Sequence, residues 1–186
     1  MSTVARLSIG EYDRMIDSGV FENRRIELIH GELREMSAIG VPHEYAADEL
    51  NEWSIQNVPL DRVRVRIQHS IGLAELSSVP EPDVAWVARL DYTRHRPTSA
   101  DVLLLIEVSD SSLAYDRGEK ARLYAQVGIT DYWVVNIHDR CIEVRRQPAG
   151  KTFEDIRICN AGEKVSPLHF PSLAVPVDTV DMVLGG

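Results

Sequence analysis

Residues 101–109 read Asp-Val-Leu-Leu-Leu-Ile-Glu-Val-Ser, and this stretch decides the fold class. A strand with one solvated face alternates apolar and polar residues, whereas this run is apolar almost throughout. It therefore predicts a central strand covered on both faces. Because burying an unpaired carboxylate is costly, Glu107 must be hydrogen-bonded, ion-paired or bound to a cation. Side chains two apart share a strand face, so we expect Leu103 and Leu105 on the same face as Glu107.

Three other segments have the pattern of strands. The segment Arg62–Ile71 alternates polar with apolar residues and predicts a half-buried strand. Asp83-Val-Ala-Trp-Val predicts a second strand, which the chain enters through Pro80-Glu-Pro. Asp131-Tyr-Trp-Val-Val-Asn-Ile is mostly apolar and predicts another buried strand.

Helices are expected before and after these strands. One covers about 8–18, and a second covers about 43–56, where apolar residues recur at helical spacing. Asp116 and Glu119 have the spacing of a capping box. A third helix should therefore begin at Asp116 and run to about Val127.

Two β-hairpins are expected outside this core. Near the N-terminus, 25–29 pairs with 32–36 across a turn at His30-Gly31. Near the C-terminus, 141–146 pairs with 153–159.

The order of these elements predicts the architecture. We expect an α/β (α+β) fold, with a mixed central sheet flanked by helices and with N-terminal and C-terminal β-hairpins. The sequence contains no internal repeat, low-complexity stretch or linker. Residues 1–186 are therefore expected to form a single domain.

The composition restricts the classes of function. The chain has 186 residues, a formal net charge of −9 and 2 cysteines. A net acidic protein is a poor indiscriminate binder of nucleic acid. No apolar run approaches the roughly 18 residues that span a bilayer, and the first residues lack the layout of a secretory signal. We therefore expect a cytoplasmic protein without a membrane partner, in which Cys141 and Cys159 face each other as free thiols.

Asp83 and Glu107 are the candidate catalytic acids. If their strands pair with the two carboxylates level, the Cβ atoms lie about 5 Å apart. Two carboxylates at that separation repel each other unless a proton or a cation lies between them. Their oxygens, together with waters and a substrate phosphate, suit Mg²⁺. The spacing also allows a structural alternative, in which Asp83 caps a turn and Glu107 pairs with an arginine.

Lys120 is one of only three lysines in the chain. On the predicted third helix it shares a face with Leu123 and Tyr124, because residues three and four apart are neighbours on a helix. That face should pack on the sheet and hold the ammonium near the strand ends. The alternative is an exposed pair of Asp116 and Lys120, worth about 0.3–0.5 kcal/mol.

These segments resemble the putative restriction endonuclease family within the PD-(D/E)XK nuclease superfamily. The resemblance rests on Pro82-Asp83, Glu107-Val-Ser109, Lys120 with Tyr124, and Asp131-Tyr-Trp133. Segments 25–33, 42–43 and 170–175 are similar to that family as well, so the resemblance covers nearly the whole chain. It implies a restriction endonuclease-like core, in the order helix, three strands, helix, strand, and a metal-dependent phosphodiesterase activity.

The resemblance also implies roles for individual residues. Asp83 and Glu107 match the metal-binding acids of the family, and Lys120 matches a lysine on the helix that follows. The usual lysine position, two residues after Glu107, holds Ser109 in this chain. We hypothesise that Asp83, Glu107 and the main-chain carbonyl of Val108 bind Mg²⁺, for which Mn²⁺ can substitute.

Further residues are candidates for supporting roles. Glu27 and His43 match recurrent polar positions of the family, and Gln68 is placed where it could line the same site. Five arginines are candidate contacts to nucleic acid, namely Arg62, Arg64, Arg66, Arg94 and Arg96. An arginine-rich strand face also protects the edge of a sheet, and this alternative stays open.

The predicted function is a Mg²⁺-dependent endonuclease that acts on nucleic acid, on DNA more than on RNA, as a homodimer. Ser109 at the lysine position and the acidic net charge favour an alternative, a catalytically inactive nuclease-fold module that binds nucleic acid or protein. A third hypothesis is a purely structural partner protein, in which Glu107 pairs with an arginine. Metal binding at Asp83 and Glu107 separates the first hypothesis from the other two.

Overall fold

The computed structural model describes residues 3–180, which contain ten strands. In chain order the strands are β1 (Ile26–Ile29), β2 (Glu32–Glu35), β3 (Val63–Ile67), β4 (Val84–Ala88), β5 (Val102–Ser109), β6 (Asp131–Asn136), β7 (Cys141–Ala149), β8 (Thr152–Asn160), β9 (Lys164–Val165) and β10 (Val175–Pro176). The ends of the predicted domain, residues 1–2 and 181–186, lie outside the described residues.

Six strands form one mixed sheet, in the order β3-β4-β5-β6-β7-β8. Within it β5 and β6 run parallel, and the other neighbours are antiparallel. β5 lies between β4 and β6, and every residue from Leu104 to Ser109 is buried. The structure therefore agrees with the central strand that the apolar run predicted. The pairs β1-β2 and β9-β10 lie outside this sheet, and the first of them is the predicted N-terminal hairpin.

Three helices accompany the strands in the described part of the chain. They are α1 (Ile9–Asp17), α2 (Val41–Asn57) and α3, a continuous helical run made of an α-helical turn (Leu113–Tyr115), a π-helical turn (Asp116–Lys120) and an α-helix (Ala121–Gln126). Short 3₁₀ turns occupy Ala74–Leu76, Ser99–Asp101 and Val177–Val180. None of the helices in residues 3–180 has the length and apolar composition that crossing a bilayer requires.

The sheet lies between α2 and α3. Ala46 and Leu50 of α2 pack with Trp86 on one face of the sheet. Leu123 and Tyr124 of α3 pack on the opposite face. Covering on both faces explains why β5 is apolar along most of its length.

A β-bulge changes which residues of β5 share a face with Glu107. The register pairs Val87 with Val102 and leaves Leu103 as an extra residue. Val102 consequently packs with Leu105 on the side of α3, whereas Leu103 packs on the side of α2. The expected alignment of Leu103 with Glu107 was wrong, because the bulge interrupts the alternation of side chains.

Two other predictions fail at strand ends. The first sheet strand ends at Ile67, because Gln68 has a left-handed φ of 49°. In the second hairpin Cys159 lies opposite Ile142 and not opposite Cys141. Since a shift of one residue moves a side chain to the other face, the thiols do not face each other. Both cysteines are buried and free.

Candidate active site

A cleft of about 390 Å³ lies among five elements. They are the end of β2, the start of α2, the N-terminal end of β4, the C-terminal end of β5, and α3. Its charged lining residues are Arg34, Glu35, His43, Asp83, Glu107, Asp110, Asp116, Glu119 and Lys120. Because six of these side chains are carboxylates, we call it the acidic cleft.

Asp83 and Glu107 lie level on neighbouring strands, which is one of the two arrangements that their spacing allowed. The antiparallel register pairs Val84 with Ile106, which places Asp83 across from Glu107. Asp83 is 6% exposed and Glu107 is 2% exposed. The main-chain N–H of Val108 donates to Oδ2 of Asp83 at 2.8 Å. Asp83 therefore connects two strands and does not cap a turn.

Lys120 connects Glu107 with Glu27. Its Nζ lies 3.0 Å from Oε1 of Glu107 and 3.2 Å from Oε1 of Glu27. The side chain of Lys120 is only 4% exposed, so the alternative of an exposed surface pair with Asp116 was wrong. The charged partner of Glu107 is this lysine, and the structural alternative of an arginine partner was wrong as well.

The buried charges shift one another's pKa. Burial is the largest influence on Glu107 and raises its pKa well above the ordinary value, although the charge of Lys120 opposes this. Burial would lower the pKa of Lys120, but four carboxylates outweigh burial and raise it, namely Glu107, Glu27, Asp116 and Asp83. Lys120 therefore stays a charged ammonium, surrounded by more carboxylates than it can neutralise.

His43, near the start of α2, is the second basic group beside the acid pair. Its Nε2 lies 3.1 Å from Oδ2 of Asp83. Burial would lower the pKa of His43, but the hydrogen bond and the charge of Asp83 outweigh burial and raise it. Burial would raise the pKa of Asp83, which His43 and Lys120 instead hold below its ordinary value. Nδ1 of His43 is buried without a hydrogen-bond partner in residues 3–180.

Asp116 is a site residue that the sequence interpretation missed. The capping-box pattern places it at the start of the third helix, but α3 begins at Leu113, and Asp116 is a buried member of the π-helical turn. Ser109 and Ser112 donate to its Oδ2 at 2.7 Å and 2.5 Å. Burial raises the pKa of Asp116. The available signal was its spacing of four residues from Lys120, which puts both on one helix face.

Two tyrosines of α3 lie beside the buried charges. The hydroxyl of Tyr124 donates to Oε1 of Glu107 at 2.7 Å. Tyr115 lines the cleft, with its ring 5.8 Å from Nζ of Lys120. Its hydroxyl is buried and lacks a partner among the described residues. Because an unpaired buried hydroxyl costs about 1–3 kcal/mol, a ligand that accepts this hydrogen bond would stabilise the site.

Of the predicted accessory residues, Glu27 belongs to the charged cluster and Gln68 does not line the cleft. Glu27 is 1% exposed in β1, and its Oε1 accepts the main-chain N–H of Glu81 at 2.6 Å. Two contacts thus hold Glu27 beside Lys120. Gln68 donates its main-chain N–H to the carbonyl of Asp83, while its side chain is absent from the lining.

The arginines predicted to contact nucleic acid do not line the acidic cleft; they are Arg62, Arg64, Arg66, Arg94 and Arg96. Arg64 and Arg66 lie on β3, an edge strand of the sheet, and Arg62 directly precedes it. Arg96 is held by Asp13, with 2.7 Å between Nη2 and Oδ1. The arginine that does line the cleft is Arg34, which pairs with Glu119 at 3.1 Å. Its place depends on the approach of β2 to α3, which the sequence does not reveal.

The donor set of the cleft fits Mg²⁺. Among residues 3–180, no group of three or more His, Cys, Asp and Glu side chains is arranged as a metal centre. Mg²⁺ does not need such a group, since it binds one or two carboxylates and keeps several waters. The contacts described above use Oδ2 of Asp83 and Oε1 of Glu107. Each carboxylate therefore has a second oxygen that suits a hard cation.

Comparisons with known proteins identify a family and a similar fold. A family model described as Uma2, putative restriction endonuclease, matches residues 9–178. The fold is similar to the crystal structure of a putative nuclease belonging to DUF820 from Anabaena variabilis ATCC 29413, with a TM-score of 0.72 and 12% sequence identity over 96% of this chain and 99% of that chain. No curated protein matches the chain. The family resemblance and the fold class predicted from the sequence are confirmed.

Proposed function

Because the chain belongs to the Uma2 family of putative restriction endonucleases, we propose that it is a Mg²⁺-dependent endonuclease that hydrolyses phosphodiester bonds in nucleic acid, with DNA as the substrate. The observation that carries the proposal is the position of Lys120, whose ammonium contacts Glu27 and Glu107 beside the level pair of Asp83 and Glu107. The solved protein with the same fold is itself described as a putative nuclease.

The charge of the cluster favours a divalent cation. Four carboxylates act on Lys120, namely Glu107, Glu27, Asp116 and Asp83. His43 is the second basic group at the acid pair. When all six groups are ionised, four negative charges face two positive charges, so a net charge of −2 remains. Uncompensated charge in a buried site is costly. A divalent cation in the cleft offsets both.

Asp83 and Glu107 would hold the ion with one oxygen each, and the main-chain carbonyl of Val108 is a third candidate ligand. Mn²⁺ also takes oxygen ligands and can replace Mg²⁺. When bound, the ion supplies Lewis-acid polarisation of a phosphoryl oxygen and stabilises the charge that develops there.

The protein's own residues position the substrate. An ammonium has three N–H donors, and the two ion pairs of Lys120 leave one for a phosphoryl oxygen or the attacking water. The hydroxyl of Tyr115 and Nδ1 of His43 are unpaired within the described residues, and both side chains line the cleft. A phosphate group and its water would satisfy both atoms. Glu27 orients Lys120 and does not itself touch the substrate.

We propose further that the enzyme acts as a homodimer in the cytoplasm. The two strands of a duplex are related by twofold symmetry, and a dimer with one twofold interface presents two matching sites. Free thiols at Cys141 and Cys159 suit a reducing compartment. Light scattering of the purified protein measures the oligomeric state.

Plasmid cleavage tests the proposed activity. Supercoiled DNA is incubated with the wild type in MgCl₂, in MnCl₂ and in EDTA, and a Glu107→Gln variant purified in the same way controls for contaminating nucleases. We expect nicked and linear products with either metal, and none in EDTA or with the variant. A folded wild type that leaves the plasmid intact with both metals would overturn the proposal. If that protein binds DNA without binding Mn²⁺, it is the nuclease-fold binding module instead.

A further inference from the structure

A second pocket adjoins the acidic cleft and carries a different charge. It measures about 370 Å³ and is lined by Arg6, His30, Glu32, Arg34, Glu119, Gln126 and Lys151. We call it the Lys151 pocket. Arg34 and Glu119 line both pockets, so their 3.1 Å ion pair forms the boundary between them.

Lys151 is the unbalanced cation of this pocket. Glu32 pairs with Arg6 at 3.0 Å and with Arg34 at 2.8 Å. Arg34 also pairs with Glu119. The two arginines and the two glutamates therefore balance one another. Lys151 is exposed and has no ion-pair partner in the described residues.

The β7–β8 hairpin determines the position of Lys151. Ala149 pairs with Thr152, so Gly150 and Lys151 form the tip of the hairpin. Gly150 has a left-handed φ of 61°, which glycine adopts without strain. This tight turn presents the lysine beside Gln126, at the end of α3.

The acidic cleft requires a basic neighbour if a nucleic-acid strand is to enter it. Six carboxylates line the cleft, and each phosphate that approaches them is repelled. Contacts between cations and backbone phosphates supply most of the affinity for nucleic acid that does not depend on sequence. The Lys151 pocket shares the lining residues Arg34 and Glu119 with the acidic cleft, and it carries an unbalanced positive charge.

Resting on the proposed function, we infer that the Lys151 pocket binds a backbone phosphate that flanks the one cleaved. A nucleic-acid strand then runs from the acidic cleft across the Arg34–Glu119 pair to Lys151. Arg34 can exchange Glu119 for a phosphate oxygen, because a guanidinium binds phosphate and carboxylate in the same forked geometry. The ligand of the pocket is therefore a phosphodiester chain.

Two lysine variants test this inference as a matched pair. Lys151→Ala and Lys164→Ala remove the same charge from exposed side chains, but Lys164 lines neither pocket. Binding of a short fluorescein-labelled DNA duplex is measured by anisotropy in EDTA over a range of NaCl concentrations, and hydrolysis of the same duplex is measured in MgCl₂.

We expect Lys151→Ala to bind about two- to fivefold more weakly than the wild type, with a salt dependence that is less steep by about one unit of slope. Its kcat/KM should fall by a similar factor, and Lys164→Ala should match the wild type. Equal behaviour of the two variants overturns the inference, while DNA binding and cleavage by the wild type leave the proposed function intact. A wild type that neither binds nor cleaves nucleic acid overturns both.

Discussion

Nζ of Lys120 lies 3.0 Å from Oε1 of Glu107, although one residue belongs to a helix, the other to a central strand, and both are buried. The hydroxyl of Tyr124 donates to the same oxygen at 2.7 Å. The ammonium of Lys120 also contacts Oε1 of Glu27. Removing one member of such a pair leaves the other charge buried and uncompensated. Stability and the proposed chemistry therefore depend on the same contact.

Lys120→Met should destabilise the protein strongly. Glu107 and Glu27 lose their common cation, and breaking a buried pair in this way costs about 3–5 kcal/mol of unfolding free energy. Urea unfolding in EDTA measures the difference. Phosphodiester hydrolysis should also be lost, because the ammonium is the donor proposed to act on the phosphate.

Two variants control for this result. Lys164→Met changes an exposed lysine and should leave the unfolding free energy unchanged. Adding Glu27→Gln to Lys120→Met should restore part of the lost stability, because one of the uncompensated carboxylates is removed. A Lys120→Met protein as stable as the wild type would contradict the ion pair seen here.

Asp83→Asn should abolish Mn²⁺ binding and leave the protein folded. The amide oxygen can still accept the N–H of Val108, so the strand contact survives while a charged metal ligand is lost. Calorimetric titration with MnCl₂ measures binding, and thermal melting checks the fold. Asp91→Asn, at an exposed aspartate that does not line the cleft, should bind Mn²⁺ as the wild type does. Undiminished binding by Asp83→Asn would remove Asp83 from the proposed metal site.

Tyr115→Phe should lower activity without lowering stability. The hydroxyl has no partner among residues 3–180, so its loss sacrifices no observed hydrogen bond of the folded protein. If it donates to a substrate phosphate, kcat/KM falls about 10- to 100-fold, the effect of losing a hydrogen bond to a charged group. Urea unfolding and initial rates of DNA hydrolysis measure the two quantities.

Tyr92→Phe is the matched control, with the opposite expected result. The hydroxyl of Tyr92 donates to the carbonyl of Ala88 at 2.8 Å, away from the cleft lining. Its loss should reduce the unfolding free energy by about 1 kcal/mol and leave kcat/KM unchanged. If Tyr115→Phe lowered stability and kept full activity, the hydroxyl would have a structural role.

The contribution of the His43–Asp83 pair to stability should depend on pH in the metal-free protein. The pKa of His43 is raised in the folded state, so its contribution is fully present below the ordinary histidine pKa and is lost as pH rises through the raised value. The pKa of Asp83 is lowered in the folded state, so the contribution of Asp83 to stability is lost only as pH falls through this lowered pKa.

We therefore expect the unfolding free energies of the wild type and His43→Gln to converge as pH rises from about 6 to about 9, measured by urea unfolding in EDTA. His69→Gln, at an exposed histidine outside the cleft, should follow the wild type throughout. A difference that widens with rising pH would contradict the charged pair.

Strand alternation explains why the sequence offered the acid pair as one of its two interpretations. Asp83 begins one apolar segment and Glu107 lies near the end of another, so an antiparallel pairing with these ends level brings them together. The same reasoning failed for Leu103, because a bulge is a property of two paired strands and not of one segment. Asp116 was misassigned because its spacing from Glu119 imitates a capping box, while the π-helical turn buries it.

The sequence by itself determined the central strand and the two hairpins, since each follows from a short-range period or from turn chemistry. It offered the acid pair and the buried position of Lys120 only beside structural alternatives. Only the tertiary structure decided that His43 contacts Asp83, that Glu27 shares Lys120 with Glu107, and that Arg34 stands between two pockets. These contacts join segments far apart in the chain. Their geometry depends on the order of the strands and on how α2 and α3 pack against the sheet, which no local pattern encodes.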